Sequence, residues 1–268
     1  MKIIGSKILI TGASGGIGGA IARLLATHGA SLVLVDRDAD KLDALANDLS
    51  RTKSSAIALA CELTEPGAPA QVIEQAVKRM GTIDILINCA GIQNFGFFAD
   101  EDARATATLF NVNTIAPIAL INAALPHMLR NRRGQIVNLG SIFGSIGFPC
   151  FASYSASKFA LRGFSEALRR ELWGSGVGVT YVAPRFTKTT LNRGAVARMA
   201  DALNMNQDAP ETVARSVVAA IERDGRDSYL GWPEKLFVRI NSILPRIVDQ
   251  PLMKQVAQMR PFANEHVA

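Results

Sequence analysis

The chain has 268 residues, 49% of them hydrophobic and 19% charged. That composition excludes disorder beyond the termini and suffices for one open α/β domain with a large core. The 29 Lys and Arg against 23 Asp and Glu give a net charge of +6, read here as solvated surface charge: no nucleic-acid partner is expected, and contact with an anionic membrane surface stays open.

Cys61, Cys89 and Cys150 lack the paired spacing of a metal site or disulfide framework, so reduced thiols and no bound metal are expected. The N-terminal segment has no long apolar run with a cleavage site, and no later run is expected to span a membrane; a cytoplasmic location follows as an expectation.

In chain order, short apolar runs alternate with stretches of helical period. Strands are expected at Lys7–Thr11, Ser31–Asp36, Ser55–Cys61, Asp84–Cys89, Gln135–Gly140 and Val177–Ala183. Helices are expected near Gly16–His28, Asp38–Leu49, Ala68–Met80, Arg104–Leu129 and Ala152–Trp173, with Asp38 as an N-cap. Near-continuous apolar strands joined by helices imply a single-domain, Rossmann-like, doubly wound parallel sheet with helices on both faces. Its ligands bind beyond the carboxyl ends of the strands. Residues 5–131 then form mainly a cofactor-binding half, 132–232 a catalytic and substrate half, and 233–268 an amphipathic extension.

The first strand runs directly into Thr11-Gly12-Ala13-Ser14-Gly15-Gly16-Ile17-Gly18 and then a helix. A strand, a glycine turn and a helix start make a pyrophosphate site, because backbone amides approach closely and the helix N-terminus is partially positive. The second strand ends at Asp36, where a carboxylate accepts from the ribose 2′- and 3′-hydroxyls and repels a 2′-phosphate. NAD(H) is therefore favoured; the adjacent Arg37 keeps NADP(H) open, since a guanidinium pairs with a 2′-phosphate. At the fourth strand's end, Asn88-Cys89-Ala90-Gly91 places small residues where backbone passes close to a ligand.

Tyr154 and Lys158 stand four apart at the start of a helical stretch, so phenol and ammonium share one face. An ammonium beside a phenol lowers its pKa from the usual value of about 10 and suits it to proton transfer. Ser141 ends the fifth strand thirteen residues earlier and can hold a substrate oxygen beside the phenol.

The glycine loop, Asn88-Cys89-Ala90-Gly91, Ser141 and Tyr154-x-x-x-Lys158, in this order and spacing, resemble the short-chain dehydrogenase/reductase family from about Lys7 to about Leu191. The resemblance implies that Tyr154 transfers the proton, Ser141 orients the carbonyl and Lys158 binds the nicotinamide ribose. Asn113, rather than its neighbour Asn111, matches the family's fourth residue, whose backbone helps hold a relay water. Gly12, Ser14, Gly16, Ile17 and Gly18 match the phosphate loop, and Glu62 and Leu63 fall where an acidic and an aliphatic residue meet adenine. Asn88, Ala90, Gly91, Pro184, Thr187 and Thr189 complete the implied cofactor contacts. Arg185 replaces the family's glycine after Pro184; turned inward it would bind an anion, and turned outward it is surface charge, the default.

Phe95, Phe97, Phe98, Phe143, Phe148, Phe151 and Phe186 fall in segments bordering the implied nicotinamide site, with Phe95, Phe143, Phe148, Phe151 and Phe186 taken as substrate contacts. Thr187–Asp208 corresponds to the family's mobile lid. The expected chemistry is ketone and secondary alcohol interconversion on a lipophilic or acyl-chain small molecule, similar to 3-oxoacyl reductases or hydroxysteroid dehydrogenases. A carrier-bound acyl chain stays open, because Arg132 matches a carrier-binding position while Ser175 replaces the second cation. A non-catalytic nucleotide sensor or scaffold on the same fold is the alternative class. The family usually forms homodimers or homotetramers. In the tail, Leu236, Phe237, Ile240, Ile243, Leu244 and Ile247 make an apolar face flanked by Lys235, Arg239 and Arg246. Packing against its own domain is the default for that face; a dimer contact, a pocket cover and a membrane surface are alternatives.

Overall fold

Aliphatic and β-branched runs become strands β1 (Lys7–Thr11), β2 (Ser31–Asp36), β3 (Ala56–Ala60), β4 (Ile85–Asn88), β5 (Gly134–Leu139), β6 (Val177–Ala183) and β7 (Asp227–Tyr229) in the computed structural model, which describes residues 1–51 and 54–266. All pairings are parallel, in the order β3-β2-β1-β4-β5-β6-β7. The chain winds outward from β1 in both directions. The carboxyl ends of β1 and β4 therefore border the crevice where crossovers depart to opposite sides. Strands β3 and β4 are one residue shorter at each end than their apolar runs, and β5 begins and ends one residue early. The sequence reading missed β7 because Asp227-Ser228-Tyr229 is short and polar.

Helices α1 (Gly16–Thr27), α2 (Ala39–Leu49) and α8 (Pro210–Glu222) cover one face of the sheet, and α3 (Ala68–Met80), α5 (Ala116–Arg130) and α6 (Ala152–Glu171) the other. Alternate strand residues serve the two cores: Ile8 and Ile10 of β1 meet Ile21 and Leu25 of α1, while Leu9 joins Leu120 and Leu168. Each fully buried aliphatic side chain stabilises the fold by about 1.5–3 kcal/mol. Asp38 caps α2 as expected, accepting from the Lys41 amide at 3.1 Å.

The expected long helix at Arg104–Leu129 is instead α4 (Ala103–Phe110) and α5, joined by a π turn over Asn111–Ile115. A π turn inserts one residue into an α-helix without altering its apolar periodicity elsewhere, so the sequence pattern hides it. The combined stretch Ala103–Arg130 is long and apolar enough to cross a membrane, contrary to the expectation from sequence. Here its apolar residues Leu109, Leu120, Ile121 and Met128 are buried in the domain.

Beyond β6 come α7 (Ala195–Ala202), then α8 and β7, then α9 (Glu234–Ile243) and α10 (Pro245–Ala263). The tail corrects another expectation. Helix α9 buries Val238, and Asn241 donates to the Ser145 carbonyl, whereas Leu236, Phe237, Ile243, Leu244 and Ile247 remain exposed. The apolar face read as a packing surface is largely open.

Candidate active site

Thr11 ties the end of β1 to the loop after β4: its hydroxyl accepts from the Cys89 amide at 3.1 Å and the Ala90 amide at 3.2 Å. This brings the backbones together so closely that a Cβ on Gly12, whose φ is +66°, would lie 2.7 Å from the Ala90 Cα. A Cβ on Gly18 would lie 2.1 Å from the Gly12 carbonyl oxygen. Helix α1 begins at Gly16 with no side-chain cap on its N-terminal amides. A glycine cradle with uncapped amides at a helix N-terminus fits a dinucleotide diphosphate.

Asp36 closes this cradle from β2. One carboxylate oxygen accepts from the Ser14 amide at 3.0 Å and the other from the Arg37 amide at 2.8 Å, while the Arg37 side chain is exposed. Ile17 is half-buried beside the loop and also borders the neighbouring cavity. Glu62 and Leu63 follow β3; Glu62 accepts from the Thr64 hydroxyl at 2.9 Å, and Leu63 packs onto the core.

Asn88 is the last residue of β4. It is buried and donates to Asn138 at 2.9 Å, and Asn138 donates to Ser165 at 2.9 Å. Its side chain thus braces β4 against β5, leaving the Ala90 and Gly91 backbone at the crevice. A Cβ on Gly91 would lie 3.3 Å from Asn113 Oδ1 and 3.4 Å from Lys158 Nζ.

Ser141 follows β5, and its Oγ accepts from the Phe143 amide at 3.1 Å. Tyr154, in the first turn of α6, shares the cavity floor with Ser141, close enough for the serine hydroxyl to act on its phenol. One turn on, Lys158 donates to the Leu139 carbonyl at 3.1 Å, with Nζ 5.8 Å from the centre of the Tyr154 ring. Asn113 sits in the π turn, where its side chain accepts from the Ile92 amide at 2.9 Å and donates to the Ile92 carbonyl at 2.9 Å and to Ser157 at 3.0 Å. The fold therefore gathers Asn113, Ser141, Tyr154 and Lys158 at one end of the sheet.

Burial pushes the Tyr154 phenol up to about 12, against the opposing effect of the Ser141 hydrogen bond. Burial also draws the Lys158 ammonium down to about 8. This reverses the expected direction for Tyr154 in the chain alone. Desolvation disfavours both charged forms, and the ammonium's hydrogen bond goes to a backbone carbonyl rather than to the phenol.

Two further residues support the site without having been singled out from sequence. Tyr181 lies beneath Ser141: its hydroxyl accepts from the Ser141 amide and donates to the Ser141 carbonyl, both at 3.4 Å. Burial raises that phenol well above its ordinary range. Glu101 accepts from Ser153, next to Tyr154, and from Asn94 and Thr106, each at 2.7 Å. Burial alone would raise the Glu101 carboxyl, but these three bonds outweigh it and hold it below its usual value. Glycine at 140 was the available signal for Tyr181; Glu101, in an irregular polar segment, left none.

Above Ser141 and Tyr154 opens a cavity of about 510 Å³ lined by Phe143, Phe148, Phe151 and Phe186, with Pro184, Thr187 and Thr189 along one side. Phe143 and Phe148 stack with centroids 4.4 Å apart. Phe95 lies one layer back, 5.1 Å from Phe151, so it supports the wall rather than forming it. Phe97 packs under the Arg260 guanidinium at 5.0 Å, and Phe98 points to solvent, 67% exposed.

Arg185 is neither an anion-binding residue nor solvated charge. It grips Asp208 with two hydrogen bonds of 2.9 and 2.8 Å and reaches Glu234 at 3.2 Å, joining the two ends of 186–208 to the start of α9. Arg132 stands two residues before β5 and Ser175 two before β6, at the amino end of the sheet, and within one chain neither borders the cavity.

Comparison with known proteins agrees with this arrangement. Residues 6–200 match the family described as short chain dehydrogenase. The chain is 31% identical to dehydrogenase/reductase SDR family member 7B of Bos taurus, covering 89% of this chain and 77% of the relative. It is 32% identical to the ketoacyl reductase HetN of a Nostoc strain, covering 92% and 88%. A short chain dehydrogenase/reductase from Burkholderia phymatum, solved in complex with NAD, shares the fold with a TM-score of 0.85 at 24% identity, covering 92% of this chain and 96% of that one. The chain belongs to the short-chain dehydrogenase/reductase family and is an oxidoreductase acting on CH–OH and C=O groups with a nicotinamide dinucleotide.

Proposed function

We propose that this enzyme interconverts a ketone and a secondary alcohol on a lipophilic, acyl-chain-like substrate, with NAD(H) favoured over NADP(H). The observation that carries this reading is the Ser141–Tyr154 pair at the floor of a cavity walled by phenyl rings. The name of the ketoacyl reductase relative supports the acyl reading. Asp36, facing the glycine loop, supports NAD(H), because its carboxylate suits ribose hydroxyls and repels a 2′-phosphate.

A nicotinamide dinucleotide held by the glycine cradle and Asp36 would supply or take up the hydride. The chain's own residues manage the oxygen. Ser141 accepts from the Phe143 amide, which reserves its one hydroxyl hydrogen for donation, to the phenol oxygen or to a substrate oxygen placed beside it. Tyr154, with a pKa pushed to about 12, is protonated near neutral pH and ready to donate to that oxygen in the reductive direction. The phenolate left behind is favoured by the Lys158 ammonium 5.8 Å from the ring, and Asn113 fixes the Ile92 backbone beside the site. Exposed Ile115, Leu129 and Phe159 on the α5 and α6 side support a homodimer or homotetramer.

A screen of 3-oxoacyl thioesters, steroids and small ketones with NADH and NADPH, followed by nicotinamide absorbance, tests the reading. Turnover of an apolar ketone with NADH supports it. Turnover confined to small polar ketones, or to NADPH, contradicts the substrate or cofactor part.

A further inference from the structure

We propose that the open face of α9 and the start of α10 docks on an anionic lipid bilayer, so that a lipophilic substrate enters the cavity from the membrane. The inference rests on the reading of that cavity as a lipophilic substrate's site. Its structural basis is that the same segment forms the cavity wall and an exposed apolar surface. Phe237 and Ile247 line the cavity, yet they are 46% and 58% exposed. Beside them Leu236, Ile243, Leu244 and Met253 are 41%, 76%, 55% and 66% exposed and do not line it. The mouth of the cavity is therefore continuous with a patch of large aliphatic side chains. Exposed apolar side chains gathered in this way mark an interaction surface rather than ordinary scatter.

The charges around the patch select the partner. Lys235, Arg239, Arg246 and Lys254 are exposed along the two helices, whereas Glu234 is committed to Arg185 and Asn206, leaving Asp249 as the exposed carboxylate of this stretch. A second copy meeting this face through a two-fold axis would bring the cations against their own equivalents. A bilayer of anionic headgroups instead supplies opposite charge at the rim and an acyl interior for the aliphatic centre. Arg185 and Glu234, the charged residues on the cavity wall, are held together with Asp208 in one ion-paired cluster. A neutral apolar molecule leaving the bilayer would thus meet the apolar side chains of Phe237, Ile240 and Ile247 on its way to Tyr154.

Co-sedimentation of the full chain with phosphatidylcholine vesicles, with and without phosphatidylglycerol, tests the proposal. The chain should pellet with the phosphatidylglycerol vesicles and far less with phosphatidylcholine alone. The triple substitution Leu236→Ser, Ile243→Ser and Leu244→Ser should lower partitioning by more than about tenfold. Because these side chains are exposed and outside the cavity wall, the variant should keep the wild-type melting temperature and NADH affinity. Arg239→Glu with Arg246→Glu should remove the preference for phosphatidylglycerol, and this pair carries the test if the triple variant misfolds. Failure of the wild type to pellet with either vesicle would overturn the proposal, as would a folded triple variant that pellets equally well. So would light scattering that shows a wild-type oligomer dissociated by the triple substitution, since a second copy would then cover the face. Turnover of a water-soluble ketone without vesicles judges the enzymatic reading separately: its loss with vesicle binding intact overturns that reading and leaves the docking face standing.

Discussion

Lys158 faces the Tyr154 ring from 5.8 Å while donating its hydrogen bond to the Leu139 carbonyl, and both side chains are buried. Neither charge is fully solvated, and this sets how the cofactor-free protein responds to pH. Lys158 titrates at about 8 in the folded chain against an ordinary 10.5, so between those values the unfolded chain holds a proton that the folded one has released. Its contribution to stability is present above the unfolded value and is lost as pH falls through about 8. Tyr154 works in the opposite sense: its contribution is present below its ordinary value of 10 and is lost as pH rises through about 12. Urea melts of wild type and Lys158→Met at about pH 7 and about pH 10 check this. The wild type should gain stability relative to the variant at the higher pH.

Asp36 accepts from the Ser14 amide at 3.0 Å, fixing the carboxylate against the glycine loop. Asp36→Ala should weaken NADH binding by about tenfold, the loss expected for charge-assisted hydrogen bonds to ribose. It should leave NADPH binding unchanged or tighter, since the repulsion of a 2′-phosphate disappears. Fluorescence titration with each cofactor measures both effects.

Glycine at 140 is required by the residue beneath it. A Cβ there would lie 2.1 Å from the Tyr181 ring, which is itself wedged between Ser141 and the sheet. Gly140→Ala should destabilise the fold by about 2–3 kcal/mol and misplace Ser141. Calorimetry and the kcat of the refolded variant check the two consequences.

Arg185 holds the segment above the cavity through Asp208 and Glu234, whose side chains are 12% and 19% exposed. Arg185→Gly, which restores the family's glycine, should cost about 1–2 kcal/mol by leaving two mostly buried carboxylates without their shared cation. Hydrogen exchange across 186–208 should quicken more than exchange in β1 and β4.

The sheet was legible because β1, β2 and β6 must be apolar on both faces, and the glycine loop because no other residue fits between Gly12 and Ala90. Ser141, Tyr154 and Lys158 were legible from spacing alone, since a strand end and one helical turn determine their separation. The π turn that holds Asn113 was hidden, as the buried positions Leu109, Asn113, Ala116, Leu120, Ala124 and Met128 keep helical spacing through it. Arg185 was misread because its partners lie 23 and 49 residues away, beyond any local pattern. The tail was legible only as a set of alternatives, because an apolar helical face looks the same whether it meets its own core, covers a pocket or faces outward; Phe237, Ile240 and Ile247 line the cavity, and Val238, off that face, makes the packing contact.

The central claim is that the Tyr154 phenol transfers the proton, and Tyr154→Phe tests it most directly. The substitution removes one oxygen and keeps the ring contacts with Phe151 and Phe143. Steady-state reduction of an apolar ketone should fall by about 10²–10⁴-fold, the usual worth of a positioned general acid, while the NADH dissociation constant stays within about twofold of wild type. A variant that keeps wild-type kcat with unchanged cofactor affinity would contradict the assignment.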